Sequence, residues 1–480
     1  MKILLIYPGT MGAPFLEMPL QLVYLADPLQ RAGYEVEIFD CRIKNYKKIK
    51  NENWLFVGVT VITGLPIKYA LKVSKHIKAL NPKIPVIWGG VHPTLLPEET
   101  LETSGGCVDY VVCGHADSTI VYIARGIEKG TLDKKIILCN QSNISMDDIS
   151  IDLPYGLLDL KRYRTAVFPI HTSRGCPYQC AFCYNTSYYG NCRWQSKSAQ
   201  RVLAEIDYIY KLYKPKELSF CSEDEFFISK QRVLDICNGL IERNYNIKWN
   251  AFCRYNNFEK FTSEEIQLIE KSGCILLGLI VENNSRVRND IINKNITDEQ
   301  IYKVTSCIAK TNIQQSVGFM SCVPGETKKD LLEVFEIIDK LYKINPKVHV
   351  NYIVMYSPFP GTPLFNIVIN DYGYKPPMSL DEWSKFKLFR IDGVTWQSKE
   401  YVKMCKTLSL ISRFPFYKKE FKLSSVNEVI ESSRFSSLPI KILYYLFTKI
   451  AMWRWKHKYF RYQIEFDILA KVLEYTRGYV

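Results

Sequence analysis

The sequence predicts an α/β protein with a Rossmann-like N-terminal domain, a partial (β/α)6 barrel and a helical C-terminal domain. Three observations predict this fold class. Short apolar runs alternate with segments of helical length, as in βαβ units with a parallel sheet. The alternation occurs in two series separated by a stretch with little periodicity, and the last part of the chain is aromatic-rich and helical in pattern. At 480 residues the chain is long enough for more than one core.

The first series covers residues 1–145 and predicts a Rossmann-like domain. Helix-length amphipathic segments such as 20–32 and 66–79 lie between apolar runs of strand length. Ligands of an open parallel sheet bind beyond the carboxyl ends of its strands, so the loops after the strands should surround one crevice. The loops concerned are 8–15, 60–65, 89–94 and 114–118. The predicted strands are 2–7, 35–39, 55–61, 84–88, 110–112 and 135–138.

The second series predicts a partial barrel in residues 165–398. A linker at 146–164 precedes it, and a helical domain at 399–480 follows. Six strand-length runs alternate with amphipathic helical segments, and an α/β barrel carries its active site at the carboxyl ends of its strands. The predicted strands are 167–172, 217–221, 248–252, 275–281, 315–320 and 348–355.

Composition and charge narrow the class of protein. The net charge of +14 is spread along the chain instead of forming a basic block, which argues against nucleic acid as a partner. The first apolar run stops at Pro8, so it indicates a buried strand rather than a secretion signal. The charge-free stretch 348–370 contains three prolines and is no membrane span. Fifteen cysteines without an export signal are typical of a reducing compartment, and we therefore expect a cytoplasmic protein.

Three cysteines lie in one short loop directly after the first predicted barrel strand. Cys176, Cys180 and Cys183 are spaced so that their thiolates can hold three corners of a 4Fe-4S cluster. The fourth iron is then open and can chelate the amino and carboxylate groups of a small molecule. A zinc site would more often show two cysteine pairs or a Cys–His set, and no second pair follows at suitable spacing. The alternative is that the three are ordinary buried cysteines.

The sequence around these cysteines, Ser-Arg-Gly-Cys-Pro-Tyr-Gln-Cys-Ala-Phe-Cys-Tyr-Asn at 173–185, resembles the signature of the radical S-adenosylmethionine superfamily. Members of that superfamily pass an electron through the cluster and release a 5′-deoxyadenosyl radical, and the resemblance implies this chemistry here. It extends through the predicted barrel, although Cys322 stands where the fifth-strand motif usually has Gly. The resemblance places further side chains on S-adenosylmethionine: Phe182 beside the adenine, Glu223 and Asp224 near the methionyl amino group, Arg254 in the active-site layer and Glu282 at the ribose.

The first domain carries a second resemblance. The stretches Trp-Gly-Gly-Val-His-Pro-Thr at 88–94 and Val-Asp-Tyr-Val-Val-Cys-Gly-His at 108–115 are similar to the cobalamin-binding domain that precedes the barrel in one large branch of the same superfamily. The later motif usually reads Gly-Glu-Gly-Glu, whereas this chain has Gly-His-Ala-Asp at 114–117. The alternative is a nucleotide-type sheet that binds nothing. The resemblance implies cobalamin contacts at Pro8, Thr60, Gly89, Gly90, Val91, His92 and Gly114.

The chain does not contain Asp-x-His-x-x-Gly, the motif that supplies a cobalt-binding histidine in many other cobalamin proteins. None of its six histidines has Asp two residues before it. In the resembling branch the lower face of the cobalt is commonly left without a histidine. Because axial ligands tune the potential of a metal, this arrangement implies an easier passage between cobalt oxidation states.

Together the two resemblances imply a cobalamin-dependent radical enzyme, in the first place a C-methyltransferase. In that scheme the 5′-deoxyadenosyl radical abstracts a substrate hydrogen and methylcobalamin donates the methyl group. The expected substrate is a small molecule, a natural product or a lipid-like compound bound between the two domains. The implied electron donor is a flavodoxin or ferredoxin. Two alternatives stay open: cyclisation, ring contraction or oxidation without net methylation, and a non-catalytic cobalamin-binding sensor.

The C-terminal domain contains a basic, aromatic-edged helical pattern at 438–460. Such a helix either lies on an anionic membrane surface, which would suit a lipid-like substrate, or packs on the barrel as a lid. We therefore expect one of two roles for 438–460, which are peripheral membrane contact and a lid on the barrel.

Overall fold

The computed structural model describes residues 1–9, 16–139, 145–163, 167–189, 194–221, 224–388, 393–412 and 438–460. These residues form two parallel sheets of six strands each and a short antiparallel pair. Helices cover the sheets, and further helices follow the second sheet. The predicted fold class is therefore confirmed.

The first sheet is wholly parallel and has the strand order β2-β1-β3-β4-β5-β6. The order reverses at β1, which lies between β2 and β3, so the ligand crevice of this topology opens beyond the carboxyl ends of β1 and β3. Leu5 in the middle of β1 pairs with Ile38 on one side and Gly58 on the other. The strands are β1 Lys2–Tyr7, β2 Glu35–Asp40, β3 Trp54–Thr60, β4 Val86–Gly89, β5 Tyr110–Cys113 and β6 Ile136–Leu138.

Helices pack on both faces of this sheet. α1 buries Leu22, Ala26 and Leu29, whose helical spacing gives one apolar stripe, and each of the two leucines contributes roughly 1.5–3 kcal/mol. α1 and α5 share one core with the barrel, whereas α2 packs in the core on the opposite face. The helices are α1 Leu20–Arg31, α2 Leu65–Leu80, α3 Val91–Leu95, α4 Pro97–Thr103 and α5 Ile120–Lys129.

The second sheet is an open, parallel sheet in which β7 and β10 to β14 pair in chain order. β8 and β9 form the antiparallel pair, which flanks the loop containing the three cysteines. In chain order the strands are β7 Val167–Pro169, β8 Ser173–Arg174, β9 Gln195–Ser196, β10 Glu217–Ser219, β11 Lys248–Cys253, β12 Cys274–Glu282, β13 Gln314–Ser321 and β14 His349–Met355.

Strand alternation decides which side chains line the inside of the barrel. In β11, Trp249, Ala251 and Cys253 join the core beneath the helices. The residues between them, Phe252 among them, therefore face the inside, and Arg254 continues this row at the end of the strand. Phe252 is 42% exposed although it lies in the middle of a sheet, because the inside of the barrel is open.

Side-chain caps start the long helices on the outside of the barrel. The N-cap side chains accept a hydrogen bond from the backbone N–H three residues later, at Ser198, Ser229, Thr262, Thr297 and Thr327. Each cap of this kind contributes about 1 kcal/mol. The helices are α6 Asn185–Tyr188, α7 Ala199–Tyr213, α8 Lys230–Arg243, α9 Tyr255–Phe258, α10 Ser263–Lys271, α11 Asp298–Ala309 and α12 Lys328–Ile344.

The chain after β14 returns to the first domain before it continues. The next helices are α13 Pro363–Asn370, α14 Leu380–Trp383, α15 Lys399–Ile411 and α16 Leu438–Lys456. Leu380 and Trp383 of α14 are fully buried in the core beneath α2, and the backbone N–H of Leu380 donates to Thr103 Oγ1 at 3.1 Å. The sequence assigns α14 to the barrel domain, but its contacts join it to the first domain.

α16 packs on the outside of the barrel. The ring of Trp455 lies 4.3 Å from the ring of Phe335 on α12, and Ala451 is fully buried. Among the described residues, no helix is long and apolar enough to cross a membrane.

Candidate functional site

The three cysteines lie in the loop between β8 and α6. Cys180 is buried, and Cys176 and Cys183 are partly exposed. Burial raises the pKa of Cys176 to about 11 and that of Cys183 to about 12, so these thiols keep their protons until a metal replaces them. Within the described residues, no three His, Cys, Asp or Glu side chains are gathered closely enough to share one ion. A cluster binds each thiolate at a different iron, so its ligands stand farther apart than those of one ion.

Asp224 joins the two ends of the cysteine loop. The backbone N–H of Gly175 donates to Asp224 Oδ2 at 2.9 Å, and Asn185 Nδ2 donates to Oδ1 at 2.7 Å. The hydroxyl of Tyr189 donates to Oδ2 as well. Asp224 therefore lies directly beside the predicted cluster. Glu223, its predicted partner at the methionyl amino group, lies outside the described residues.

Arg254 reaches the same loop from the end of β11. Its Nη1 donates to Cys180 Sγ at 3.2 Å, and its guanidinium lies 3.7 Å from the ring centroid of Tyr178. Arg254 thus lies at the carboxyl end of β11 in contact with a cysteine sulfur. Phe182, the residue predicted beside the adenine, is partly buried next to Ala181 and Val287.

Glu282 ends β12 with a carboxylate that is almost fully buried. Its Oε1 accepts a hydrogen bond from Lys294 Nζ at 2.7 Å, and 9% of its side chain is exposed. Its φ of +73° is in the left-handed region, which costs a non-glycine residue of order 1–3 kcal/mol. A strained, buried carboxylate at the carboxyl end of a barrel strand fits a ligand-binding role. None of the sequence motifs includes Lys294, and sequence reasoning missed it.

Glu225 is a second residue that sequence reasoning missed. It is 3% exposed, and its Oε1 accepts from the backbone N–H of Phe227 at 3.2 Å. Burial raises its pKa to about 7, and its carboxyl group lies near Cys176. The run Glu-Asp-Glu at 223–225 was the available signal, but strand alternation alone does not decide which of its members points inward.

The first domain contains a cavity of about 130 Å³ at the crevice of the sheet. Its floor is apolar, with Leu5, Phe56, Ile87 and Val112 among its residues. A Cβ on Gly58 would lie 3.0 Å from Leu5 Cδ2, and one on Gly90 (φ +100°) would lie 2.8 Å from the carbonyl oxygen of Val61. Glycines therefore keep this space open. Four of the predicted cobalamin contacts line it: Thr60, Gly89, Gly90 and Gly114.

The other predicted cobalamin contacts lie near the cavity but do not line it. Pro8 is buried at the end of β1, and Val91 begins α3. His92 is fully buried, with Nδ1 3.2 Å from Thr63 Oγ1 and its ring 5.7 Å from that of Trp383. Burial lowers the pKa of His92 to about 4, so this imidazole is neutral at physiological pH. It packs against α14 and does not face the cavity.

The loop that departs from the usual Gly-Glu-Gly-Glu connects the two domains. Asp117 forms an ion pair with Arg174, and a second bond of 3.3 Å joins Arg174 Nη2 to Asp117 Oδ1. Burial opposes the charge of Asp117, but the guanidinium of Arg174 outweighs it and lowers the pKa of the carboxyl group. His115 Nε2 lies 3.3 Å from the hydroxyl of Tyr189. His115 lines the cavity, and Tyr189 bonds to Asp224, so the two predicted cofactor sites are contiguous.

The residues present fit the three predicted cofactors. The cysteine loop offers three sulfurs and a cationic donor to one of them. Carboxylates at the ends of the barrel strands suit an ammonium group or ribose hydroxyls. The glycine-lined apolar cavity lies in the sheet crevice where ligands of this topology bind, and its volume of about 130 Å³ suits one apolar part of a bulky organic cofactor.

Family models match two parts of the chain. Residues 13–124 match the model of the B12 binding domain, and residues 170–338 match the model of the radical SAM superfamily. The first match contains most of the residues that line the glycine-lined cavity, and the second contains the cysteine loop and β8 to β13.

Two relatives and one solved enzyme are similar over most of the chain. An uncharacterized methyltransferase of Pyrococcus horikoshii is 28% identical over 398 residues, covering 77% of this chain and 83% of that protein. The anaerobic magnesium-protoporphyrin IX monomethyl ester cyclase of Rubrivivax gelatinosus is 24% identical, covering 72% of this chain and 65% of the cyclase. The radical S-adenosylmethionine methyltransferase TsrM from Kitasatospora setae, with tryptophan and a SAM analogue bound, matches with a TM-score of 0.64 at 17% identity, over 78% of this chain and 76% of that chain. A second structure of TsrM, with cobalamin and a [4Fe-4S] cluster bound, has a TM-score of 0.62. At these identities the structural match shows a shared fold.

Proposed function

We propose that this chain, which belongs to the cobalamin-binding radical S-adenosylmethionine enzymes, methylates an unactivated carbon of a small-molecule, natural-product or lipid-like substrate. The observation that carries the proposal is the contact between the two cofactor sites. A series of polar contacts joins the wall of the glycine-lined cavity to the cysteine loop, through the side chains of His115, Tyr189 and Asp224. A methyl donor and a radical source that act on one carbon must lie side by side.

Each group of residues has a role in this proposal. Cys176, Cys180 and Cys183 hold the cluster, and Phe182, Glu223, Asp224, Arg254 and Glu282 surround S-adenosylmethionine. The cobalamin site is lined by Thr60, Gly89, Gly90 and Gly114, and Pro8, Val91 and His92 lie beside it. When bound, these cofactors supply a 5′-deoxyadenosyl radical and a transferable methyl group.

Aromatic side chains shape the space in which the substrate would lie. Tyr184 packs 5.8 Å from Phe359, and Tyr188 packs 6.1 Å from Tyr184 and 5.5 Å from His115. Rings at the junction of the domains exclude water from the reacting carbon, and they offer flat apolar surfaces to a substrate.

The mass of the product tests the proposed function. Anaerobically reconstituted enzyme, given reductant, S-adenosylmethionine and cobalamin with extracts of candidate substrates, should form 5′-deoxyadenosine and a product heavier by one CH₂ group. Deuterated methyl groups in S-adenosylmethionine should appear in that product. A chain that binds cluster and cobalamin but never forms 5′-deoxyadenosine would contradict the proposal and favour the sensor.

The similarity to the cyclase of Rubrivivax gelatinosus favours a second candidate function. A radical reaction that closes or contracts a ring, or oxidises the substrate, would use the same cofactors. Its product would carry no deuterated methyl group, so the labelling experiment separates the two functions.

We also propose that an acidic flavodoxin or ferredoxin supplies the electron. Pro177 and Gln179 lie between the cluster cysteines and are exposed, so the cysteine loop reaches the surface there. The chain's net charge of +14 favours an anionic partner.

We also propose that α16 contacts the surface of a membrane. Opposite the face that packs on the barrel, the helix exposes Leu446, Ile450 and Trp453 at helical spacing, with Lys449 among them. Tyr445 and Met452 widen this apolar stripe. A cationic helix with an exposed apolar face binds anionic lipid surfaces.

Flotation with liposomes tests the membrane contact. The protein should float with vesicles that contain anionic lipid, and Leu446→Ser and Trp453→Ser should each weaken binding at least about tenfold, since burying one apolar side chain contributes roughly 1.5–3 kcal/mol. Tyr122→Ser is the matched control, because Tyr122 is 64% exposed on α5. Equal flotation of all three variants would contradict a contact through α16.

A further inference from the structure

Arg254 contacts one cluster cysteine, and the geometry of this contact carries an inference beyond binding of S-adenosylmethionine. We propose that Arg254 is a positioning residue for the cluster, which holds the Cys180 thiolate and raises the reduction potential of the cluster through its fixed positive charge. The inference depends on the cluster of the proposed function but concerns a different property of it.

The guanidinium of Arg254 is held in place on several sides. Nη1 donates to Cys180 Sγ at 3.2 Å, Nε donates to Asn256 Oδ1 at 3.3 Å, and Nη2 donates to the carbonyl oxygen of Lys294. Its flat face lies 3.7 Å from the centroid of the Tyr178 ring. Arg254 is only 8% exposed. A planar cation with its nitrogens bonded and its face stacked has little freedom to leave the sulfur.

Cys180 is also anchored through its neighbours. The backbone N–H of Ala181 donates to the carbonyl oxygen of Ile292 at 2.7 Å, and Asn293 Nδ2 donates to the carbonyl oxygen of Gln179 at 3.0 Å. The segment 292–294 therefore supports the loop on both sides of Cys180, and it also binds Arg254 through Lys294. Cysteine and guanidinium are held by the same segment, which fixes the distance between sulfur and cation.

A fixed cation at this sulfur favours the reduced cluster. A cluster with three thiolates is anionic, and reduction adds another negative charge. The positive charge of Arg254 interacts more favourably with the more negative state, and low local exposure weakens the screening by water. Hydrogen bonds to cluster sulfurs and nearby charge are among the factors that set the potential of such clusters.

The test is a redox titration of the reconstituted full chain, followed by EPR in the absence of S-adenosylmethionine. In Arg254→Gln, the ratio of reduced to oxidised cluster at a fixed applied potential should fall about tenfold or more, and tenfold corresponds to 59 mV for a one-electron couple. Arg254→Lys keeps the charge but loses the stacked plane, so its shift should be smaller. Lys260→Gln is the control, because Lys260 is an exposed cation just after α9 whose ammonium group donates to Asn257 Oδ1.

The outcomes separate this inference from its rival and from the proposed function. If Arg254 acts only on the carboxylate of S-adenosylmethionine, Arg254→Gln weakens cofactor binding and leaves the potential measured without it unchanged, which overturns the inference. Loss of the cluster from Arg254→Gln, with retention in Arg254→Lys and Lys260→Gln, supports the bond to Cys180. Cluster loss from all three variants overturns it. A wild-type chain that holds no cluster contradicts the proposed function itself.

Discussion

Replacement of any one of Cys176, Cys180 and Cys183 by alanine should abolish formation of 5′-deoxyadenosine. Each thiolate would hold a separate iron. Because the protein supplies only these three ligands in the proposed site, the loss of one should prevent stable binding of the cluster. Removing even an outer-shell partner of a metal typically costs roughly 10–100-fold, so losing a ligand should cost more. Iron content and 5′-deoxyadenosine, both measured anaerobically after reconstitution, check the result.

Cys307→Ala is the matched control for these variants. Cys307 is a partly exposed cysteine on α11, away from the loop. It should keep wild-type iron content and activity. A Cys183→Ala protein that turns over at the wild-type rate would remove the basis for the radical reaction.

Gly58→Leu should strongly reduce cobalamin binding without loss of the cluster. Gly58 lines the cavity, and a Cβ there meets the flexible end of Leu5 at 3.0 Å and the Phe56 ring at an ordinary contact distance of 3.7 Å, so the new side chain can enter the free space. Displacing the contacts of one buried group of leucine size costs roughly 3 kcal/mol, or about 100-fold in Kd. Cobalamin absorbance after desalting, together with the iron count, measures the two sites separately.

Gly156→Leu is the control for the cavity variant, because a Cβ at Gly156 meets no atom within 4 Å. It should bind cobalamin as the wild type does. If Gly58→Leu retained full cobalamin affinity, the cofactor would have to bind outside this cavity.

The strands and the cysteine loop were predictable because their signals are local. Apolar runs of strand length predicted each strand of the two six-stranded sheets to within a few residues, as for β11, predicted at 248–252 and observed as Lys248–Cys253, whereas the two-residue strands β8 and β9 were not predicted. The structure also explains why glycine is usual at one position of the family motif. Cys322 stands where the family motif usually has Gly, and its φ of +62° is in the region that glycine adopts without strain.

The contacts of the site were not predictable, because they join residues distant in the chain. Lys294 reaches Glu282 after the chain passes through a π-helical turn at Val287–Ile291. The periodicity of the sequence does not predict this turn. The family resemblance was enough to predict Arg254 in the active-site layer. That its partner is a cysteine sulfur depends on how the segment 292–294 packs behind the loop, and packing of this kind is a tertiary property.

The insertion of α14 into the first domain has a consequence for how these enzymes can be recombined. Leu380 and Trp383 complete a core whose other fully buried residues all precede position 114. A fragment cut at the linker would leave a hole in that core and expose the buried His92 ring to solvent. The first domain therefore does not contain its whole core, and it should not fold as an isolated N-terminal fragment. Chimaeras between relatives should exchange 371–388 together with that domain.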